Sequence, residues 1–200
     1  MVKVGAIILA AGKSSRMGEP KLLLPFRESP LVASAVSVAL QQLQLVVCVT
    51  GAYKEWIQQA LASYGDAIEI HHNPHFDSGM ASSLKIGIQA LHGRVDAVII
   101  FLGDQPFVSG EVVASLIQHY CEAQARGIKI VRPVYAQQPG HPILFDCDLF
   151  KAFESLGGDV GAKSIIARHK DQLELVHFQQ AEWGVDIDTP ADYVTLLKKG

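Results

Sequence analysis

The sequence predicts an α/β protein, a three-layer α/β/α arrangement with a mostly parallel sheet. Short β-branched or apolar runs alternate with longer stretches of helical periodicity, and the runs are apolar throughout, as in strands covered on both faces of a sheet. The composition is that of a globular protein, with 49% hydrophobic and 18% charged residues. The 200 residues show no repeat or linker, so residues 1–200 are expected to form one domain.

Six segments are predicted to be strands because each is short and rich in Val, Ile or Leu. They are 4–11 (VGAIILAA), 45–50 (LVVCVT), 67–72 (AIEIHH), 97–103 (AVIIFLG), 128–134 (IKIVRPV) and 173–178 (LELVHF). The most loop-like segment of the second half is 134–142 (VYAQQPGHP), which is expected to lie on the substrate side.

Three helices are predicted from periodicity and from capping residues. Apolar residues recur on one face over 80–91 and again over 112–120, and Ser109 is placed to cap the second of these helices. The third begins near the end of the chain, where Thr189 would be the N-cap, Pro190 the first helical residue and Asp192 the capping-box partner.

Charge and cysteine content exclude several classes of protein. The formal net charge of −3 gives no basis for binding nucleic acid or an anionic membrane over the whole surface. Cys48, Cys121 and Cys147 are far apart and fit neither a metal site nor a disulfide framework. No apolar run approaches the roughly 18 residues of a membrane span. These features predict a soluble, cytoplasmic protein without nucleic-acid or membrane partners.

The loop that follows the first predicted strand combines small residues with three cations. Gly12 and Gly18 allow backbone N–H groups to approach an anion, and Lys13, Arg16 and Lys21 supply positive charge. In open α/β sheets, the carboxyl end of a strand is the edge where ligands bind. The Walker A and dinucleotide-binding patterns both fail, since neither has its required glycines here. The loop therefore indicates a polyphosphate site of another type, with a solvated surface loop as the alternative.

Two later strand ends carry carboxylates. Asp104 ends the segment AVIIFLG, and Asp186 and Asp188 follow another short apolar stretch, on one face if that stretch is extended. Carboxylates at the ligand-binding edge suit a hard divalent cation. The alternatives are a turn-forming role for Asp104 and a helix-start role for Asp188, which stands next to Thr189. Together with the cationic loop, these residues predict a metal–triphosphate site.

The motifs resemble those of the molybdenum cofactor cytidylyltransferase family, within the nucleotidyltransferases of Rossmann-like, GT-A-like fold. LAAGKSSRMGEPKLLLPF (9–26) resembles their signature loop and GDQP (103–106) their metal-binding turn. The resemblance covers essentially the whole chain through four further motifs. These are NPHFDSGMASSLKIGI (73–88), RPVYAQQPGHPILF (132–145), GDVGAKSII (158–166) and VDIDTPADY (185–193).

The resemblance implies a role for each matching residue. Arg16 would bind the β- and γ-phosphates, Lys21 the α-phosphate, and Asp104 with Asp188 would hold Mg²⁺, which makes Arg16, Lys21 and Asp104 the implied catalytic residues. The remaining implied contacts form two groups: Leu9, Ala10, Ala11, Gly12, Ser82 and Ser83 toward the nucleotide, and His141, Gly161 and Lys163 toward the second substrate.

The implied reaction transfers CMP from CTP to the terminal phosphate of molybdenum-bound molybdopterin, with release of pyrophosphate. Guanylyl-transferring relatives tend to have glycine where this chain has Ala11, and the added methyl group is expected to favour a pyrimidine. CTP and molybdopterin are the implied substrates, and the resemblance allows transient contact with a molybdenum hydroxylase or its chaperone.

Other functions remain compatible with the sequence. A cytidylyl- or uridylyltransferase acting on a sugar or polyol phosphate would share the opening loop and Asp104, and a guanylyltransferase of the same cofactor is opposed mainly by Ala11. A protein that only binds and delivers the pterin cofactor is a non-enzymatic alternative. Such a carrier has little need for the metal-binding carboxylates.

Overall fold

The computed structural model describes residues 2–198 and contains a twisted eight-stranded sheet between two layers of helices. No helix within this described part combines the length and apolar character needed to cross a membrane. The strands are β1 (Val4–Ala10), β2 (Pro25–Phe26), β3 (Ser29–Pro30), β4 (Leu45–Thr50), β5 (Glu69–His72), β6 (Ala97–Leu102), β7 (Ile130–Tyr135), β8 (Gln138–Pro139), β9 (Ile143–Asp146) and β10 (Leu173–Phe178). The helices are α1 (Leu31–Gln42), α2 (Lys54–Ala60), α3 (Met80–Leu91), α4 (Gly110–Ala123), α5 (Phe150–Glu154), α6 (Lys163–Arg168) and α7 (Pro190–Leu197).

The sheet has the order β10-β7-β9-β6-β1-β4-β5, with β8 paired to β7 and with β2 and β3 forming a separate small hairpin. Strands β1, β4, β5 and β6 are parallel neighbours, as are β7 and β10. Strand β9 runs antiparallel to both β6 and β7. The carboxyl ends of β1 and β6 therefore meet at one edge of the sheet, and the amino end of β9 lies beside them.

Two hydrophobic cores cover the two faces of the sheet. One face packs against α1, α2 and α4, represented by Val36, Ile57 and Leu116, all nearly inaccessible to solvent. The other face packs against α3, α5 and α6. Because β1 contributes Ile8 to the first core and Ile7 to the second, its continuous apolar sequence is explained by burial on both sides.

The predicted fold class is confirmed, including the bounds of β4 and β10. Four strands were missed: the two-residue strands β2, β3 and β8, and β9, which is only four residues long and whose antiparallel direction depends on distant partners. The segment 134–142 is also more ordered than predicted, since Val134 and Tyr135 continue β7 and the chain returns in β8. The turn between them contains two non-glycine residues with positive φ, Ala136 at 44° and Gln137 at 76°.

The predicted capping box of α7 is confirmed. The Thr189 hydroxyl accepts a hydrogen bond from the Asp192 N–H at 3.2 Å, and the Asp192 carboxylate accepts one from the Thr189 N–H at 2.8 Å. The pKa of Asp192 is lowered by these hydrogen bonds from Thr189 and by the N–H of Asp188. Capping is thus performed by Thr189 and Asp192, which leaves the side chain of Asp188 available for other contacts.

A Thr189→Ala variant is expected to lower the free energy of unfolding by about 1 kcal/mol, the usual contribution of an N-cap hydroxyl. Urea denaturation followed by circular dichroism measures this difference. Thr195→Ala is the matched control, because Thr195 is exposed within the same helix and only donates to the Ala191 carbonyl. Equal stability of the two variants would contradict a stabilising cap.

Candidate active site

A cavity of about 500 Å³ opens at the carboxyl ends of β1 and β6. Its floor comes from the strand ends, one wall from the loop after β1, and the opposite wall from the start of α3 and the loop before α6. The lining residues are Leu9, Ala11, Gly12, Lys13, Ser14, Ser15, Arg16, Lys21, Leu22, Phe76, Asp77, Gly79, Met80, Ser83, Leu102, Asp104, Asp159 and Asp188.

The centre of the cavity is an ion-pair cluster around Lys21. The Lys21 ammonium lies 2.5 Å from an oxygen of Asp104 and 2.8 Å from an oxygen of Asp188. Its backbone N–H donates to the Ser14 hydroxyl at 3.1 Å, which ties the loop back on itself. Burial alone would lower the pKa of Lys21, but the two carboxylates outweigh it and the net pKa is raised. Lys21 is therefore charged and held in place.

Arg16 makes the outer part of the same cluster. One terminal guanidinium nitrogen lies 2.9 Å from the second oxygen of Asp188, while 71% of the Arg16 side chain is exposed. The pKa of Asp188 is lowered, first by the hydrogen bond from Lys21 and also by the charge of Arg16. Because the Arg16 side chain is mostly exposed and pairs with Asp188 through one nitrogen, replacing Asp188 by another anion costs little free energy.

The third loop cation, Lys13, is also paired. Its ammonium lies 2.5 Å from Asp77 and 5.7 Å from the centre of the Phe76 ring. Both charged side chains are about 60% exposed, so this contact contributes little stability. All three cations of the loop thus contact carboxylates in this structure, and binding a polyphosphate requires each of them to exchange a carboxylate for a phosphate.

The start of α3 faces the cavity and is covered by the loop before α6. Gly79 has a φ of 101°, and a Cβ placed there would lie 2.4 Å from the Gly158 carbonyl carbon, so only glycine fits this close approach. The Asp159 carboxylate accepts the N–H of Met80 at 3.1 Å, and the Gly158 carbonyl accepts the N–H of Ala81 at 3.1 Å. The two loops are therefore joined at this wall.

A second layer supports the acidic residues. The side-chain amide of Gln105, which is 3% exposed, donates to an Asp186 oxygen at 2.5 Å. Burial raises the pKa of Asp186, the hydrogen bond from Gln105 opposes that rise, and the charges of Asp104 and Asp188 add to it. The backbone N–H of Ile187 donates to the Asp104 carbonyl at 3.1 Å, which joins the two acidic segments.

The donor set at the cluster fits a hard divalent cation. The carboxylates of Asp104 and Asp188 already converge on one cation, the ammonium of Lys21, at 2.5 and 2.8 Å. Carboxylate oxygens are the ligands that Mg²⁺ and Mn²⁺ prefer. A metal at this place would compete with Lys21 for the same oxygens.

The structure brings eight of the predicted site residues together around the cavity: Leu9, Ala11, Gly12, Arg16, Lys21, Ser83, Asp104 and Asp188. Two others point elsewhere. Alternation along β1 turns Ala10 into the core shared with α1, and the Ser82 hydroxyl donates to backbone carbonyls of His75 and Gly79. Ser82 and Ser83 both accept hydrogen bonds from the Asn73 side chain, at 2.7 and 2.9 Å. Ala10 and Ser82 are therefore not among the lining residues of the cavity, and the nucleotide contacts expected of them stay predictions.

The residues predicted to face a second substrate lie outside the lining of this cavity, although close to it. A Cβ on Gly161 would lie 3.2 Å from the sulfur of Met80, which lines the cavity. His141 is half-buried two residues before the start of β9, and Lys163 is the exposed first residue of α6. Their assignment to a second substrate stays a prediction.

The sequence indicated Lys13 only as one of the loop cations and did not indicate Asp77 or Asp159, yet all three line the cavity. Each was within a motif already noted for the site, namely the opening loop, NPHFDSG and GDVGAK. The presence of a charged residue inside such a motif was the sequence feature that could have identified each of them. The local sequence does not indicate that Asp77 and Asp159 face the same cavity as Lys13.

Fold and cavity together define an α/β nucleotidyltransferase, with a cationic loop and carboxylates at the carboxyl edge of the sheet. Residues 6–173 match the family model described as the MobA-like NTP transferase domain, and the chain belongs to this family. The predicted family resemblance is thereby confirmed.

Two relatives align over nearly the full chain. The molybdenum cofactor cytidylyltransferase of Escherichia coli is 27% identical over 201 residues, covering 100% of this chain and 98% of that protein. The nicotine blue oxidoreductase of Paenarthrobacter nicotinovorans is 29% identical over 204 residues, covering 97% and 96%. The two relatives have very different names but nearly the same sequence identity to this chain. Sequence identity at this level therefore does not determine the substrate.

Solved structures agree on the fold. The Mycobacterium tuberculosis protein Rv0371c superimposes with a TM-score of 0.83 at 25% identity, covering 98% of each chain. A manganese complex of the same protein gives a TM-score of 0.79 at 24% identity, covering 99% of this chain and 100% of that one.

Proposed function

We propose that this protein transfers CMP from CTP to the terminal phosphate of molybdenum-bound molybdopterin, forming molybdopterin cytosine dinucleotide and pyrophosphate. The observation that carries the proposal is the Lys21 cluster, in which one partly buried ammonium and two carboxylates meet at the floor of a nucleotide-sized cavity. The full-length similarity to a molybdenum cofactor cytidylyltransferase supports the choice of substrates. The proposal treats residues 1–200 as one catalytic domain.

In the proposed reaction, an oxygen of the molybdopterin phosphate attacks the α-phosphorus of CTP in line. A new P–O bond forms while the bond to the bridging oxygen breaks, and pyrophosphate leaves with the bonding electron pair. A phosphate monoester is largely ionised at neutral pH, so positioning and charge neutralisation dominate the catalysis. Lys21 would bind the α-phosphate and Arg16 the β- and γ-phosphates, each leaving its carboxylate partner.

Mg²⁺ is the proposed cofactor, held by Asp104 and Asp188, and when bound it neutralises charge on the phosphate oxygens. The manganese complex of the M. tuberculosis protein supports a divalent metal in this fold without selecting magnesium. A cytoplasmic location and transient contact with a molybdenum hydroxylase or its chaperone stay predictions from the sequence.

Pyrophosphate release tests the proposal directly. The purified protein is supplied with molybdenum-loaded molybdopterin and with CTP, GTP, ATP or UTP in turn, with and without Mg²⁺. Release with CTP that requires both the acceptor and Mg²⁺ is the expected result. Release only with a sugar or polyol phosphate as acceptor would replace molybdopterin by the other acceptor class. Nucleotide binding without turnover on any acceptor would favour a carrier.

The base preference is tested at Ala11. Its side chain lines the cavity and its backbone packs tightly against Gly51, where an added Cβ would lie 2.5 Å from the Ala11 carbonyl oxygen. An added Cβ on Gly51 would also lie 2.9 Å from the Ala11 Cβ, so the two residues are close neighbours, and the proposal places the base beside the Ala11 methyl group. An Ala11→Gly variant is expected to lower the ratio of CTP to GTP kcat/KM roughly ten-fold, the scale of one methyl group in a pocket. An unchanged ratio would remove Ala11 as the determinant.

A further inference from the structure

A second group of basic side chains lies beside the cavity and makes no contact with the Lys21 cluster. Its central member is Arg132, a half-buried residue in the middle of the otherwise apolar strand β7. The Arg132 side chain donates from Nε to the Gly140 carbonyl at 3.1 Å and from a terminal nitrogen to the Pro139 carbonyl at 3.3 Å. These bonds fix the guanidinium against the backbone that immediately precedes His141.

Arg132 differs from the cations of the opening loop because it has no counterion. Within residues 2–198, no carboxylate forms an ion pair with Arg132 or with Lys163, whereas Lys13, Arg16 and Lys21 are all paired. Burial lowers the pKa of Arg132, which reflects the cost of holding an uncompensated charge away from water. A half-buried arginine is expensive unless an anion balances it.

The sheet places this group next to the cavity. Strand β9 pairs with β6 so that Ile143 lies opposite Ile100, and continuing this register puts His141 beside Leu102, which lines the cavity. Arg132 lies on the face of β7 that carries Ile130, whose side chain belongs to the same core as Ile165 of α6. Lys163 begins that helix. The group therefore flanks the cavity on the side away from β4.

His141 completes the group as a neutral polar side chain. Burial is the main cause that lowers its pKa to about 4, and the charges of Arg132 and Lys163 act in the same direction. Its backbone carbonyl accepts a hydrogen bond from the Tyr135 hydroxyl at 2.8 Å, which holds this turn in place. At neutral pH the group thus offers two positive charges and an uncharged imidazole, a combination suited to a phosphate dianion.

We propose that Arg132, together with Lys163 and His141, binds the phosphate monoester of the acceptor and aims it at the nucleotide in the neighbouring cavity. This proposal rests on the proposed function for the identity of the acceptor. The alternative ligand for these three residues is the triphosphate of the nucleotide. Arg132 is the member that sequence reasoning did not assign, and its planar guanidinium can bind two phosphate oxygens at once.

The test compares Arg132→Gln with Arg168→Gln, a control at the exposed far end of α6. The first measurement needs no turnover: inorganic phosphate is titrated into the nucleotide-free protein while NMR follows the His141 ring signals. The second measures binding of CTP with Mg²⁺ by calorimetry. The third measures KM for molybdopterin.

Arg132→Gln is expected to abolish the phosphate-dependent shift of His141 and to raise the acceptor KM roughly ten-fold or more, with CTP affinity unchanged. The control should behave as the unmodified protein does. An equal loss of CTP affinity would assign the group to the nucleotide and overturn the proposal. A phosphate response that survives in Arg132→Gln would also overturn it. If circular dichroism shows that Arg132→Gln is unfolded, Arg132→Lys takes its place, because lysine keeps the charge but cannot bind two phosphate oxygens with one planar group. Phosphate binding by Arg132→Lys equal to that of the unmodified protein would then overturn the proposal.

The phosphate titration also separates this inference from the proposed function. If no acceptor supports pyrophosphate release but the His141 signals respond to phosphate through Arg132, the subsite stands and the assigned reaction fails. If molybdopterin supports release and the titration shows no response, the reaction stands and the subsite fails.

Discussion

An Asp104→Asn variant is expected to lose metal-dependent turnover by about 10³-fold, since metal-assisted neutralisation of phosphate charge contributes several kcal/mol to the transition state. The substitution keeps the shape of the side chain and removes its negative charge. Only 18% of the Asp104 side chain is exposed and its carboxylate contacts Lys21, so the position is fixed and water cannot readily replace the lost oxygen. Pyrophosphate release with saturating CTP, at several Mg²⁺ concentrations, measures the effect.

Metal binding gives a second measurement of the same variant that does not depend on catalysis. Mn²⁺ titrated into the nucleotide-free protein and followed by electron paramagnetic resonance should bind roughly ten-fold more weakly to Asp104→Asn. Asp66→Asn serves as the control, because Asp66 is exposed and distant from the cavity lining. Turnover equal to that of the control would show that Asp104 does not hold the metal.

The features that could be predicted from the sequence are those that depend on residues close together in the chain. Strands β1, β4 and β6 are buried on both faces and therefore read as unbroken apolar runs. The Thr189 capping box spans only three residues. The placement of Asp104 followed from the rule that parallel strands present their carboxyl ends at one edge of the sheet, since Asp104 lies just after β6. The expectation of a strand end at Asp186 and Asp188 was wrong, because both lie in the loop between β10 and α7.

The parts that could not be predicted depend on contacts between distant segments. The pairing of Lys21 with Asp188 joins residues 167 positions apart, and no local pattern indicates which carboxylate a loop lysine will contact. The direction of β9 follows from its register with β6 and β7, which also brings His141 to the cavity edge. One local signal was overlooked: Arg132 interrupts an apolar strand, and a charge in such a place indicates a specific partner or ligand.

A Lys21→Ala variant is expected to lower kcat roughly 10²- to 10³-fold while changing CTP affinity much less. The reason is that the proposed contact with the α-phosphate strengthens as charge develops in the transition state, whereas Arg16 continues to hold the outer phosphates. Steady-state kinetics give kcat, and calorimetry gives CTP affinity. Lys85→Ala is the matched control on the exposed face of α3. An effect confined to KM would assign Lys21 to ground-state binding.

The Lys21→Ala substitution is expected to strengthen metal binding, although it lowers turnover. In the nucleotide-free protein the Lys21 ammonium occupies the oxygens of Asp104 and Asp188 that a divalent cation would use. Removing this competing charge should tighten Mn²⁺ binding roughly ten-fold, while Asp104→Asn weakens it. The pKa of Asp188, now lowered chiefly by the Lys21 hydrogen bond, should rise toward its ordinary value in Lys21→Ala.

Tighter metal binding together with lower turnover would show that Lys21 competes with the metal for the carboxylates. Structural damage to the site would weaken both metal binding and turnover. A variant whose loop is misplaced would bind both metal and nucleotide more weakly. Lys21→Ala keeps the backbone N–H that donates to the Ser14 hydroxyl, so the loop is expected to stay in place. Tighter metal binding combined with lost turnover has a different origin: the ammonium is a temporary occupant that metal and nucleotide displace together. Metal and nucleotide should then bind cooperatively in the unmodified protein and less cooperatively in Lys21→Ala, where only the direct attraction between metal and phosphate remains. The Mn²⁺ titration repeated with saturating CTP measures this difference.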